Sequence, residues 1–292
     1  MKRRPYIFCA VLTLFCLAWA FPVVSAEQPG SVPAWLDRVP EDFPNRETVR
    51  TDLTALCTSY PGLCRDVEIQ GDRLMVILQN DEAVPYDDGR TKTFEETLDD
   101  PDIQDMFHQK YTVGPVTEPV DWEYDPGRFR VDKIFKTLYG DSASKVQSRL
   151  VKVDVCGKKV GFHGDHGASA ALTEAARELN DLVRQRPKLK EYILPMGGTF
   201  NWRVIAGTKR LSPHSYGTAI DLNTKKGAYW RWTKDQSPTT LLKMRQGYPI
   251  EIVQAFENHG FVWGGKWFHY DLMHFEYRPE LFFKTKLLEK RR

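Results

Sequence analysis

The sequence has 292 residues, 41 Lys+Arg against 39 Asp+Glu, and 41% hydrophobic residues. That composition is ordinary for one large globular domain or two small ones, and it excludes fibrous, collagen-like and wholly disordered chains.

Residues 1–26 stand apart from the fold. Lys2, Arg3 and Arg4 precede an apolar stretch from Tyr6 to Val24, and the small residues Ser25 and Ala26 follow it. This is the three-part pattern of a secretory signal peptide. Its length approaches the ~20 residues of a membrane span, but Pro22 and the small-residue exit favour cleavage. The expectation is an exported protein, periplasmic or secreted, with no stable membrane anchor after cleavage. Cleavage removes three positive charges and no negative ones, leaving 38 basic against 39 acidic residues, a net −1. A near-neutral chain gives no bulk reason to expect nucleic acid as a partner.

Three cysteines lie beyond residue 26. Cys57 and Cys64 enclose a short segment containing Pro61 and Gly62, and in an oxidising compartment such a pair is expected to close as a disulfide. Cys156 is then the odd thiol, expected as a small buried residue in the strand-like run Leu150–Val155.

Residues 27–46 read as an extended, Pro-rich lead-in. A helix is expected over Glu47–Ser59, where Val49, Leu53 and Leu56 recur at helical spacing, and a strand over Arg73–Gln79. Between Asn80 and Asp132 the chain is acidic and weakly periodic, and its residues assign it no function. Residues 27–145 are therefore an N-terminal extension of unclear purpose.

The pattern sharpens in residues 146–285. Leu150–Val155 reads as a strand, and Ala168–Arg186 as an amphipathic helix stopped by Pro187. Pro249 opens another helix carrying Ile250, Val253 and Phe256, with Gly260 at its end. Thr199–Ile205, Thr218–Asn223 and His274–Tyr277 have strand character. The expected class is α+β, with helices packed on a small antiparallel sheet. The basic tail, residues 286–292, reads as solvated charge.

Two short stretches carry chemistry. In Ser212-Pro213-His214-Ser215-Tyr216-Gly217-Thr218-Ala219-Ile220-Asp221, strand alternation sends Ile220 and Leu222 to one face and Asp221 to the other, free to meet His214. In Asp271-Leu272-Met273-His274-Phe275-Glu276-Tyr277, the aromatics alternate with His274, which a strand would direct toward Asp221. Two imidazoles and one carboxylate leave a tetrahedral zinc with an open fourth position, the arrangement of a catalytic site. Asp271, from the neighbouring loop, is then a carboxylate placed to take a proton.

His269 is the nearest rival to His274, and strand alternation favours His274. His163 and His166 are read as loop residues before a helix, His108 as a surface residue, and His259 as a residue at a helix end. Trp230, Trp232, Trp263, Trp267 and Tyr270 gather around the two stretches, more in the manner of core packing than of a ligand wall.

These residues, together with Arg203 in Phe200-Asn201-Trp202-Arg203, resemble the D-alanyl-D-alanine carboxypeptidase and L-alanyl-D-glutamate endopeptidase family of zinc peptidases, over about residues 150–280. The resemblance implies a zinc-peptidase core like that of the hedgehog and D,D-peptidase folds, with one zinc ion held by His214, Asp221 and His274. It implies Asp271 as general base, Arg203 as the group that polarises the substrate carbonyl, and Ser212 as a substrate contact. The implied partner is the stem peptide of peptidoglycan. Asp271 stands where vancomycin-resistance-type dipeptidases carry Glu, and Leu272 stands where some carboxypeptidases carry His, so the pattern is nearer the endopeptidase branch. The competing reading is a zinc-containing module that binds wall peptide without cutting it.

Overall fold

The computed structural model describes residues 33–290; the signal-like segment and the last two residues of the basic tail lie outside that range. The described chain is α+β, built on two three-stranded antiparallel sheets and a separate hairpin.

The first sheet belongs to the N-terminal part. The helix expected from the Val49, Leu53 and Leu56 spacing forms as α1 (Arg46–Ser59) and turns those three residues inward. A disulfide joins Cys57 in α1 to Cys64, with Cα atoms 5.9 Å apart. Cys64 opens β1 (Cys64–Gln70), which pairs with β2 (Arg73–Leu78), and β2 pairs in turn with β3 (Ala83–Pro85).

The weakly periodic stretch that follows is more ordered than its pattern suggests. It contains α2 (Phe94–Asp99) and α3 (Ile103–Phe107), each started by a reciprocal capping box, Thr93 with Glu96 and Asp102 with Asp105. Helices this short are set by their caps rather than by apolar period. Then come α4 (Asp132–Tyr139) and α5 (Ala143–Gln147). The lead-in likewise contains a 3-10 turn over Ala34–Arg38.

The second half carries the hairpin of β4 (Leu150–Val155) and β5 (Lys158–His163), the long helix α6 (Ala168–Gln185) and the single turn α7 (Lys190–Ile193). Cys156 is buried, in the left-handed turn between β4 and β5 rather than in the strand itself. The next sheet places β8 (His274–Tyr277) between β6 (Ala219–Asp221) and β7 (Phe261–Trp263), both antiparallel to it. Two helices, α8 (Pro238–Gln246) and α9 (Ile250–Glu257), lie between β6 and β7 in sequence, and α10 (Pro279–Glu289) closes the described chain.

One expected strand is absent. Residues 199–205 make no ladder; only isolated bridges, Gly198 to Asp221 and Val204 to Leu211, tie this stretch down. Its polar groups are satisfied locally instead, with Ser215 Oγ accepting from Arg203 N at 3.0 Å and Ser212 N donating to Arg203 O at 2.9 Å.

Two apolar cores result. One packs α6, α9, the hairpin and the inner face of the β6–β8–β7 sheet, through residues such as Leu172, Ile220, Phe256 and Phe275. The other joins α1, β2, α3 and α4 to Leu281 of α10 and to Val262 and Trp267. Residues 33–145 are thus built into the same body as the C-terminal sheet. Among the described residues, no helix is long and apolar enough to cross a membrane.

Candidate metal centre

The centre sits on the face of the second sheet opposite the apolar core. In β6 and β8 the side chains alternate, so Ile220 and Phe275 enter the core and their neighbours Asp221 and His274 take the other face. The antiparallel register sets Asp221 directly opposite His274. His214 arrives from the 3-10 turn Pro213–Tyr216, which Ser212 caps by accepting the His214 backbone N–H at 3.4 Å. Gly217, at φ 65°, reverses the chain from that turn into β6, and a Cβ there would lie 2.6 Å from Leu150.

Three donor atoms converge. His274 Nδ1 lies 2.9 Å from Asp221 Oδ1 and 3.3 Å from His214 Nε2, and His214 Nε2 lies 3.2 Å from Asp221 Oδ1. Zinc bonds of ~2.0–2.1 Å at tetrahedral angles hold their ligand atoms about 3.3 Å apart. The spacing fits such an ion.

The hydrogen bonds behind the donors fit as well. His214 Nδ1 lies 3.1 Å from the Thr199 carbonyl oxygen, which can only accept, so Nδ1 carries the proton and Nε2 offers its lone pair inward. His274 Nε2 faces Glu276 Oε2 at 3.7 Å, which leaves Nδ1 facing the centre. The two imidazoles hold the Asp221 carboxyl well below the usual carboxylate range, overcoming the burial that opposes them. Burial disfavours charge on His274, yet Asp221 and Glu276 together raise it to about 10. The surroundings of His274 therefore favour positive charge at the position where a divalent cation would sit.

Asp271 completes the inner group. Burial raises its carboxyl to about 6, with Asp221 pushing the same way and His274 and His214 pulling it down. Its Oδ1 is buried with no hydrogen-bond partner, an uncommon state for a carboxylate and one that points to a functional group. Gly264 makes the approach of this residue possible, because a Cβ on Gly264 would lie 2.6 Å from the Asp271 carbonyl oxygen.

A cleft of about 290 Å³ opens over the three donors, and Asp271, Arg203, Ser212, Trp230, Trp232 and Trp267 also line it. Arg203 is exposed at the rim, and among the described residues the only close polar contact of its guanidinium is Val204 O at 3.5 Å. Trp263, Trp267 and Tyr270 are core residues, as expected for the cluster, and Trp267 also lines the cleft together with Trp230 and Trp232. His269 stays outside the donor group. Its Nδ1 pairs with Asp125 at 2.7 Å, its ring stacks on Phe94, and it lines the cleft wall. His163 is spent on Tyr139 O and on the Asp165 N–H, and His259 pairs with Glu178.

Sequence reasoning missed the contribution of residues 125–130. This segment, Asp-Pro-Gly-Arg-Phe-Arg, places Arg128 and Arg130 in the cleft lining and Asp125 behind His269. Its alternation, two arginines flanking a buried Phe129, was the available signal for two guanidiniums on one side.

Residues 206–277 match the model of a family described as D-alanyl-D-alanine carboxypeptidase. The matched segment contains Ser212, His214, Asp221, Asp271 and His274, and stops short of Arg203 and of residues 125–130. No curated protein and no solved structure matches the chain. The match bears out the family resemblance drawn from the sequence and supports a peptidase acting on D-Ala-D-Ala or related peptides.

Proposed function

We propose that the protein is an exported zinc peptidase that hydrolyses peptide bonds in peptidoglycan stem peptides. The observation that carries this reading is Asp271, a half-buried residue whose carboxylate Oδ1 is buried and unpartnered, in the same cleft as three converging donors of zinc-ligand type.

His214, Asp221 and His274 would hold the ion, which supplies Lewis-acid chemistry at a peptide carbonyl. Asp271 Oδ1 takes a proton from the attacking water and returns it to the leaving amine, so the carboxylate ends as it began. Arg203 directs its guanidinium at the negative charge developing on the carbonyl oxygen. Ser212 presents the His214 turn and contacts substrate. The tryptophans of the cleft exclude water around the peptide. Export rests on the residues 1–26 pattern.

The test is mass spectrometry of muropeptides after incubation with zinc-loaded protein, a chelated sample and an Asp271→Asn variant. Zinc-dependent loss of D-Ala identifies a carboxypeptidase. Release of L-Ala from D-Glu identifies an endopeptidase. Absence of any product from folded, zinc-loaded protein overturns the peptidase reading in favour of a binding module.

A further inference from the structure

Glu276 is a fully buried carboxylate directly behind a metal-type donor, and its partner comes from more than a hundred residues upstream. Glu276 Oε2 lies 3.7 Å from His274 Nε2. Arg130 grips the same carboxylate from the other side with a two-pronged contact, Nε to Oε1 at 2.6 Å and Nη2 to Oε2. Arg130 is itself oriented, because its Nη1 donates to the Arg128 carbonyl oxygen at 3.2 Å.

The surrounding groups leave Glu276 few other partners. Arg278 Nη1 stands 3.8 Å from Glu276 Oε1, but Arg278 is engaged by Glu280 and by the carbonyl oxygens of Gly127 and Phe129. Those two carbonyls belong to the segment that carries Arg130. One side chain of the C-terminal half thus ties down the backbone of residues 127–129, and one side chain of that segment returns to hold Glu276. The loop closes on His274.

We propose that Arg130 is a positioning residue for the metal centre: acting through Glu276, it fixes the ring of His274 so that Nδ1 faces Asp221 and His214. The inference rests on the reading of those three residues as metal ligands. It assigns residues 125–130 a specific task, supplying the outermost member of an arginine–carboxylate–imidazole relay from outside the segment that matches the peptidase family. A planar guanidinium fork fixes a carboxylate in orientation as well as in charge, which an ammonium does not. Groups behind a ligating imidazole set its ring orientation and basicity, and losing one costs about 10–100-fold in metal affinity.

The experiment measures zinc affinity by competition with a chromophoric chelator, and the visible ligand-field spectrum of the cobalt(II)-substituted protein, for wild type, Arg130→Ala and Arg130→Lys. The expected result is a zinc affinity about 10–100-fold weaker in Arg130→Ala, partial recovery in Arg130→Lys, and an altered cobalt spectrum in both. Circular dichroism confirms that each variant is folded. Wild-type affinity and an unchanged cobalt spectrum in both folded variants overturn the proposal. If Arg130→Ala does not fold, Glu276→Gln replaces it, with the same two outcomes. A wild-type protein that binds neither metal overturns the metal-site reading itself, a failure separate from that of the relay.

Discussion

Asp221 and His274 face each other as a cross-strand pair, with Oδ1 and Nδ1 2.9 Å apart. Two donors separated by 53 residues are therefore fixed by one step of antiparallel register. The third, His214, stands only a tight turn away. A one-residue slip of β8 against β6 would send His274 into the core and Phe275 into the cleft, so the sheet and the centre stand or fall together.

On the proposed reading, the three donors hold one ion as a unit. His214→Ala, Asp221→Asn and His274→Ala are each expected to abolish stoichiometric zinc binding, as read by metal analysis after gel filtration. Chelation of the wild-type protein is expected to remove activity, and added zinc to restore it. Retention of one zinc per chain by any of the three variants would show that the ion sits elsewhere.

The proposed reading makes Asp271 a proton acceptor and not a ligand of the ion. Asp271→Asn keeps the side-chain volume and removes the proton acceptor, so zinc stoichiometry is expected to stay at the wild-type level while the turnover rate falls about 10²–10⁴-fold. Loss of zinc in parallel with activity would instead make Asp271 a ligand.

The donors were legible in the sequence because strand alternation is a strict period of two. His274–Tyr277 forms over the residues that its pattern marks, and Ile220 and Phe275 point away from Asp221 and His274 as alternation demands. The support behind the donors was not legible. Arg130 and Glu276 are 146 residues apart, and nothing local at either position announces the other. Thr199–Ile205 has strand composition without a strand, because side-chain hydrogen bonds from Ser215 satisfy backbone groups that a ladder would otherwise take. The capping boxes of α2 and α3 are present as Thr93-x-x-Glu96 and Asp102-x-x-Asp105, but a search for apolar period passes over helices this short.

Gly264 lets Asp271, the proposed base, approach closely by having no side chain. A Cβ there would meet the Asp271 carbonyl oxygen at 2.6 Å, a Trp267 ring carbon at 3.0 Å and the Asp271 Cβ at 3.2 Å. Gly264→Ala must therefore push Asp271 or its loop away, at a cost of about 1–3 kcal/mol. The expected outcome is a lower melting temperature and a larger proportional loss of turnover than of zinc affinity. An alanine variant with wild-type turnover would show that the position of Asp271 tolerates the displacement.

The N-terminal part carries its own acid-sensitive element. Asp88 is partly desolvated, which raises its carboxyl, but hydrogen bonds from Arg90 and Lys92 more than offset this and bring it down to about 2 from an ordinary 3.8. Lys92 Nζ lies 2.8 Å from Asp88, 3.2 Å from Asp102 and 2.7 Å from Asp105, so one ammonium holds three carboxylates. A folded-state value below the unfolded one means that the stabilisation is full above about pH 4 and disappears as pH falls toward 2. Its size is on the order of 1–2 kcal/mol once the remaining exposure of Asp88 is allowed for. In urea titrations, wild type is expected to exceed Asp88→Asn in stability at pH 5, with the gap closing by pH 2. A gap of constant size across that range would show that Asp88 stabilises the fold through its shape and neutral hydrogen bonds, and that its charge contributes nothing.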